Sequence, residues 1–223
     1  AIYTVTASVG TAPNICTDTF DITVTVNPKP SIADVTQAIC TGNTFTVTPT
    51  NTAPDVVPTG TTYTWTVTTP AGITGASNQA TAQTSISQTL SNSTSNSIVV
   101  TYTVTASFGT APNVCTDTFT IAVTVNPEPS IADVVQTICS GDTFTVTPTN
   151  TAPNVVPTGT TYTWTVATPA GITGASNQAT GQTSISQTLT NTTSTSLSAI
   201  YTVTASVGTA PNICTDTFDI TVT

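Results

Sequence analysis

VTYTVTASFGTAPNVCTDTFTIAVTV, residues 100–125, decides the fold. Before the central Ala-Pro-Asn, Tyr102, Val104, Ala106 and Phe108 fall on alternate positions; after it, Phe119, Ile121, Val123 and Val125 do the same. Thr or Ser fills most of the opposite face. A period of two with one polar face marks half-buried antiparallel strands, and the abundant β-branched Thr and Val suit strands and disfavour helices.

The same alternation runs outward from this stretch. It puts Phe45 and Val47 on one face of residues 43–49, and Tyr63, Trp65 and Val67 on one face of residues 61–67. Weaker strands are expected over 33–39 and 83–90, the latter with Ile86 and Leu90 turned inward. The segments TPTNTAPDVVPTG and TTPAGITGAS between them are rich in turn residues. About seven short strands in about 100 residues, with a Trp on a middle strand, predict an immunoglobulin-like β-sandwich. Trp65 and Trp164 are expected between its two sheets.

The pattern repeats. Cys16, Cys115 and Cys214 are spaced 99 apart, as are Cys40 and Cys139. Residues 28–124 and 127–223 differ at 19 of 97 aligned positions, so neighbouring units are relatives and not copies. Residues 1–25, by contrast, match 199–223 without a difference, so identity recurs at 198, twice the structural period. The expected organisation is an elongated array of all-β sandwiches: residues 1–27 carry the last two strands of one repeat, 28–126 a complete repeat, and 127–223 a second. On this reading the chain is a window that opens mid-strand at Ala1. The joints are VNPKPS (26–31) and VNPEPS (125–130), where two prolines in three residues stop a strand and leave a short, stiff connection.

Composition removes several classes of function. Ten acids stand against Lys29 alone, with no His, for a net charge of −9; one cation cannot neutralise a run of phosphates, so nucleic acid is not an expected partner. The longest aliphatic stretches, such as Ile98-Val99-Val100, fall far short of the roughly 20 apolar residues of a membrane helix. Without His, Ser-His and Cys-His catalysis are impossible within the chain. The carboxylates change from unit to unit, Asp55 becoming Asn154 and Thr120 matching Asp21, which reads as solvated surface, and no catalytic site is expected. No cofactor is implied. Calcium is the one ion with a reading, through Asp34, Asp55 and the carbonyls of TAPD gathered at a joint.

VNPKPSIADVTQAICTGNTFTVTPT, TTYTWTV, AGITGASNQA, TSISQTL, YTVTAS and CTDTFTIAVTVNPEP, in that order, resemble the PKD-like, immunoglobulin-like repeats of very large surface proteins of Bacteroidetes. The chain departs from the usual PKD motif WDFGDG, having TWTVTTPAG from Thr64. The resemblance implies an exported protein at the bacterial cell surface, acting as the structural shaft of a tandem-repeat fibre or adhesin, with copies of itself or adjacent repeats as partners. A carbohydrate-binding or spacer module of a secreted polysaccharide-degrading enzyme, touching surface glycans, is the alternative.

In an exported protein with two cysteines per repeat, disulfides are expected. Pairing within a repeat joins Cys40 to Cys115 and Cys139 to Cys214; pairing between neighbours joins Cys16 to Cys40 and Cys115 to Cys139. A plain immunoglobulin topology puts the start of the second strand and the start of the last at opposite ends, and there the thiols are free or bonded between subunits. A zinc site is a poor fit to isolated cysteines without His.

Modification has its own candidates. Asn92-Ser93-Thr94 and Asn191-Thr192-Thr193 are glycosylation sequons at matching positions, in a Ser/Thr-rich segment, 91–97, that reads as an exposed loop. Asp-Thr-Phe recurs four times, making Thr19, Thr118, Thr143 and Thr217 candidates for O-linked sugar.

Overall fold

A computed structural model describes all 223 residues. The chain forms no helix, so none is long and apolar enough to cross a membrane. Strands β1 (Ile2–Thr11) and β2 (Asn14–Thr23) make a hairpin. A first sandwich follows, from β3 (Val35–Cys40), β4 (Thr44–Val47), β5 (Thr62–Val67), β6 (Ile73–Thr74), β7 (Gln79–Gln83), β8 (Ile86–Thr89), β9 (Ser91–Asn92), β10 (Ile98–Thr110) and β11 (Asn113–Asn126). The second repeats it with β12 (Val134–Gln136), β13 (Thr143–Val146), β14 (Thr161–Ala167), β15 (Ile172–Thr173), β16 (Gln178–Gln182), β17 (Ile185–Thr188), β18 (Thr190–Asn191), β19 (Ala199–Thr209) and β20 (Asn212–Val222).

In the first sandwich a five-stranded sheet, ordered β3-β11-β10-β5-β7, faces the pair β4–β8, with the small pair β6–β9 beside it. β3 runs parallel to β11, and every other pairing is antiparallel. The period-two faces meet in the middle. Tyr102 on β10 meets Phe45 on β4 with ring centroids 5.1 Å apart, while Tyr63 meets Phe119 edge-on at 6.4 Å. Ile86 and Leu90 are fully buried, as their pattern predicts.

Trp65 is buried in this core, and a polar network ties it to the surface. Its indole N–H donates to the Ser77 carbonyl at 3.1 Å. The Gln88 amide donates to that same carbonyl at 2.7 Å, and the Gln88 Oε1 accepts from the Tyr102 hydroxyl at 2.8 Å. Trp164, Ser176, Gln187 and Tyr201 rebuild the network in the second sandwich. Burial pushes the Tyr102 and Tyr201 hydroxyls up to about 12. Thr and Ser hydroxyls pair across strands on the outer face, as Thr46 with Ser87 at 2.9 Å.

The last two strands of each repeat are far longer than their neighbours, β10 running 13 residues against six for β5. Each pair closes through a two-residue Ala-Pro turn, Thr110 facing Asn113 across it, with the Ala111-Pro112 bond cis. Beside the turn, Gly109 has φ +103°, and a Cβ there would stand 2.5 Å from the Asn113 carbonyl oxygen. Only glycine fits.

One sequence occurs here in two environments. In β19–β20, Tyr201, Val203, Ala205, Phe218 and Ile220 are buried against the second sandwich. In β1–β2 the same letters form a hairpin with nothing packed on either face, leaving Tyr3, Phe20 and Ile22 exposed.

Candidate functional site

The site is the joint between the sandwiches. Because β3 is parallel to β11 with Cys40 opposite Asn126, Cys40 lies where the chain leaves the first sandwich. The β19–β20 hairpin of the second sandwich overshoots its own partner strands and reaches back to this place. A Cβ at Gly208 would stand 3.6 Å from the Asn126 side-chain nitrogen, and Asn212, beside the tip, lines a shallow groove with Gln37, Ile39 and Phe45 of the first sandwich. Cys214 meets Cys40 there in a disulfide, with S–S 2.04 Å, Cα–Cα 5.6 Å and a sequence separation of 174.

This bond corrects both pairings expected from the sequence. Cys40–Cys115 within the repeat is ruled out by topology: Cys115 stands on β11 eleven residues before Asn126, about 36 Å away at about 3.3 Å per residue. The opposite-ends argument therefore holds. Cys139–Cys214 fails for the same reason, and neither Cys16–Cys40 nor Cys115–Cys139 forms. Cys16, Cys115 and Cys139 are free thiols. Cys115, the counterpart of Cys214, occupies the matching place at the preceding joint, its sulfur 4.0 Å from the Asn27 carbonyl oxygen.

Five of the ten acids, Asp34, Asp55, Asp117, Asp133 and Asp216, are not idle surface; they fasten the connecting segments. The Ile32 amide donates to Asp117 at 3.1 Å, the Ala33 amide to Asp55 at 2.9 Å, and the Thr120 amide to Asp34 at 2.7 Å. Ser31 and Val56 exchange backbone hydrogen bonds. The second joint repeats the pattern, with Ile131 on Asp216, Ala132 on Asn154 and Asp219 on Asp133. Asn154 does with a neutral amide what Asp55 does with a carboxylate, so this position needs an acceptor and not a charge. Asp34 and Asp55, the acids of the calcium reading, each give an oxygen to a backbone amide, and no three His, Cys, Asp or Glu residues gather where they could hold a metal ion.

The sequons also differ from expectation. Asn92 is buried, and its amide nitrogen donates to the Asn96 and Val125 carbonyls at 2.7 and 2.9 Å while its oxygen accepts from the Thr94 amide and hydroxyl. A nitrogen so engaged is closed to an attached sugar. Asn191 makes the matching bond to the Thr195 carbonyl at 2.8 Å and is half-buried. Thr19, Thr118, Thr143 and Thr217 all face outward, Thr143 sharing its hydroxyl hydrogen bond with Thr188.

At the far end of the second sandwich lies a cavity of about 310 Å³, lined by Ile138, Cys139, Leu189, Asn191, Leu197 and Val222 among others. In the first sandwich Val125 is fully buried at this end, and Asn126 accepts from the Thr41 amide through its carbonyl and from the Ser97 hydroxyl through its side chain. The one sequence signal of this interdomain contact is length, since the excess of β10–β11 and β19–β20 over their partner strands projects the tip cysteine beyond its own sandwich.

Two β-sandwiches in tandem, bonded across a fastened joint, define the class of protein. The chain belongs to the PKD-like domain family, whose model matches residues 37–129 and 136–223. No curated protein matches. Solved structures similar to the chain include a three-domain immunoglobulin fragment of titin, at 13% identity and TM-score 0.34 over 87% of this chain and 63% of that one. An endo-fucoidan hydrolase of glycoside hydrolase family 107 follows at 13% and 0.27, over 100% and 34%. A SusE-like surface-located polysaccharide-binding protein of Bacteroides thetaiotaomicron follows at 11% and 0.30, over 87% and 33%. The chain spans about a third to three fifths of these structures, and likenesses this distant carry nothing further.

Proposed function

We propose that the chain is part of the structural shaft of an extracellular fibre or adhesin at a bacterial cell surface, in which residues 28–126 and 127–223 are consecutive units and catalysis has no part. The observation that carries this reading is the Cys40–Cys214 bond, which ties two independently cored sandwiches across their joint. A bond of this kind persists in an oxidising compartment outside the cytosol. The fastened linkers support the same reading: each connecting segment is hydrogen-bonded to the sandwich that follows, which limits bending at the joint. Adjacent repeats are then the partners that matter.

Electron micrographs of the oxidised chain test this. Strand spans of roughly 35–40 Å per sandwich give two sandwiches in line a length of roughly 70–90 Å. Rods of that length are expected; particles in which the two sandwiches fold side by side would overturn the reading.

A further inference from the structure

We propose that the joint bond is the rule of a longer array: the cysteine ending each repeat's first strand takes the hairpin-tip cysteine of the repeat that follows. This deepens the shaft reading and rests on it. Cys139 is then the acceptor for a third repeat of this kind, and Cys115 the donor to a repeat before the first.

Two observations converge on it. Cys139 occupies in the second sandwich the place that Cys40 occupies in the first, and Cys40 is bonded while Cys139 is an exposed thiol. Cys115 stands at the preceding joint as Cys214 stands at this one: its sulfur is 4.0 Å from the Asn27 carbonyl oxygen, and a Cβ at Gly109 would stand 3.4 Å from the Asn27 side-chain nitrogen, as one at Gly208 would stand 3.6 Å from that of Asn126. The hairpin tip of each repeat is thus set against the linker asparagine of the joint before it, where Cys214 finds Cys40.

The bond forms as two thiols release two protons and pass two electrons to an oxidised disulfide compound, such as glutathione disulfide, which leaves as two thiols.

The pattern has a mechanical consequence. Donor and acceptor within the backbone are 24 residues apart, Cys16 to Cys40 and Cys115 to Cys139. These segments do not double back, because β11 and β12 both run away from the preceding hairpin tip. Extended at about 3.3 Å per residue, 24 residues span about 80 Å, the two-repeat advance given above. Two nearly straight covalent paths therefore run along the array, one through odd joints and one through even, and tension along either bypasses the sandwich cores.

The test is a chain in which residues 26–126 are repeated after Thr223, with Cys115→Ser in the first repeat and Cys40→Ser in the added one, so that the peptides of the two copies differ in mass. It is oxidised with glutathione disulfide and cut before Asp without reduction. Cleavage there isolates Cys40 in 34–54, Cys139 in 133–141 and Cys214 in 142–215, and the added tip cysteine in the copy of 55–116. The expected product is 133–141 bonded to that copy, with 34–54 bonded to 142–215 as the internal standard. If 133–141 carries a free thiol while the standard forms, or is bonded to 142–215 in place of the standard, and micrographs show a lengthened rod, the staple rule is overturned and the shaft reading stands. Compact particles carrying the new bond would support the staple and overturn the shaft.

Discussion

Residues 1–25 and 199–223 are the same 25 letters, and the molecule treats them differently. β19–β20 lies in a five-stranded sheet with its apolar face buried and its cysteine bonded; β1–β2 stands as a bare hairpin with that face open and its cysteine free. Local preference makes both hairpins. What distinguishes them is β12, β14 and the facing pair β13–β17, which one has and the other lacks. A hairpin alone is marginal in water, so the stability of this sequence is supplied by its neighbours.

The largest way to break the comparison is mechanical. Cys16 and Cys214 are the same position, yet only Cys214 closes a loop, between cysteines separated by 174 in sequence. Pulled from its two ends, the oxidised chain keeps that loop from extending. Cys214→Ser, or a reductant, is expected to add about 600 Å of contour length at about 3.4 Å per residue; Cys16→Ser is expected to add none. Single-molecule force spectroscopy reads the difference directly.

Hydrogen exchange sharpens it next. Peptides from 1–25 and 199–223 have identical masses, so a shared fragment should give a two-peaked isotope envelope, one population exchanging at once and the other protected by global stability. A stability of about 5 kcal/mol corresponds to a protection ratio of several thousand. A single peak would mean that both hairpins share one environment.

How much of this was legible in the sequence follows from the same contrast. Alternation named the core correctly, down to Ile86 and Leu90, because period two is a property of each strand by itself. The Trp positions were legible for the same reason. Cysteine pairing was not, because a spacing of 99 is compatible with several registers of bonding, and the choice depends on β3 lying parallel to β11 and on a hairpin that outruns its sheet. Asn92 was misread on similar grounds: its burial is fixed by the Val125 carbonyl, 33 residues away, which no local motif records. The acids were legible as residues but not as fasteners, since their partners are backbone amides of a connecting segment.

Side-chain truncation is the third test. Phe218 is 3% exposed and Phe20 is 52% exposed. Phe218→Ala removes a core ring and is expected to cost about 3–5 kcal/mol in chemical denaturation of the second sandwich. Phe20→Ala, at a site that packs against no second sheet, is expected to stay within about 0.5 kcal/mol. Equal losses would show that β1–β2 is packed in solution after all.

The smallest effect is titration of the tyrosine in the buried hairpin. Burial raises Tyr201 to about 12, and it raises Tyr102 in the first sandwich likewise. The neutral hydroxyl is the form that the fold favours, so these groups contribute fully below the unfolded tyrosine value of about 10, and their contribution is lost as pH rises through about 12. Melting temperature is therefore expected to fall between pH 10 and 12. Both sandwiches should respond together, since each has the same hydroxyl donating to the same glutamine, Gln88 or Gln187. Tyr102→Phe together with Tyr201→Phe removes two of the four tyrosines that burial raises, and it should reduce the alkaline slope while lowering stability at neutral pH by one hydrogen bond to each glutamine oxygen, which keeps the Ser77 or Ser176 amide. A slope unchanged in the double variant would place the alkaline transition elsewhere in the molecule.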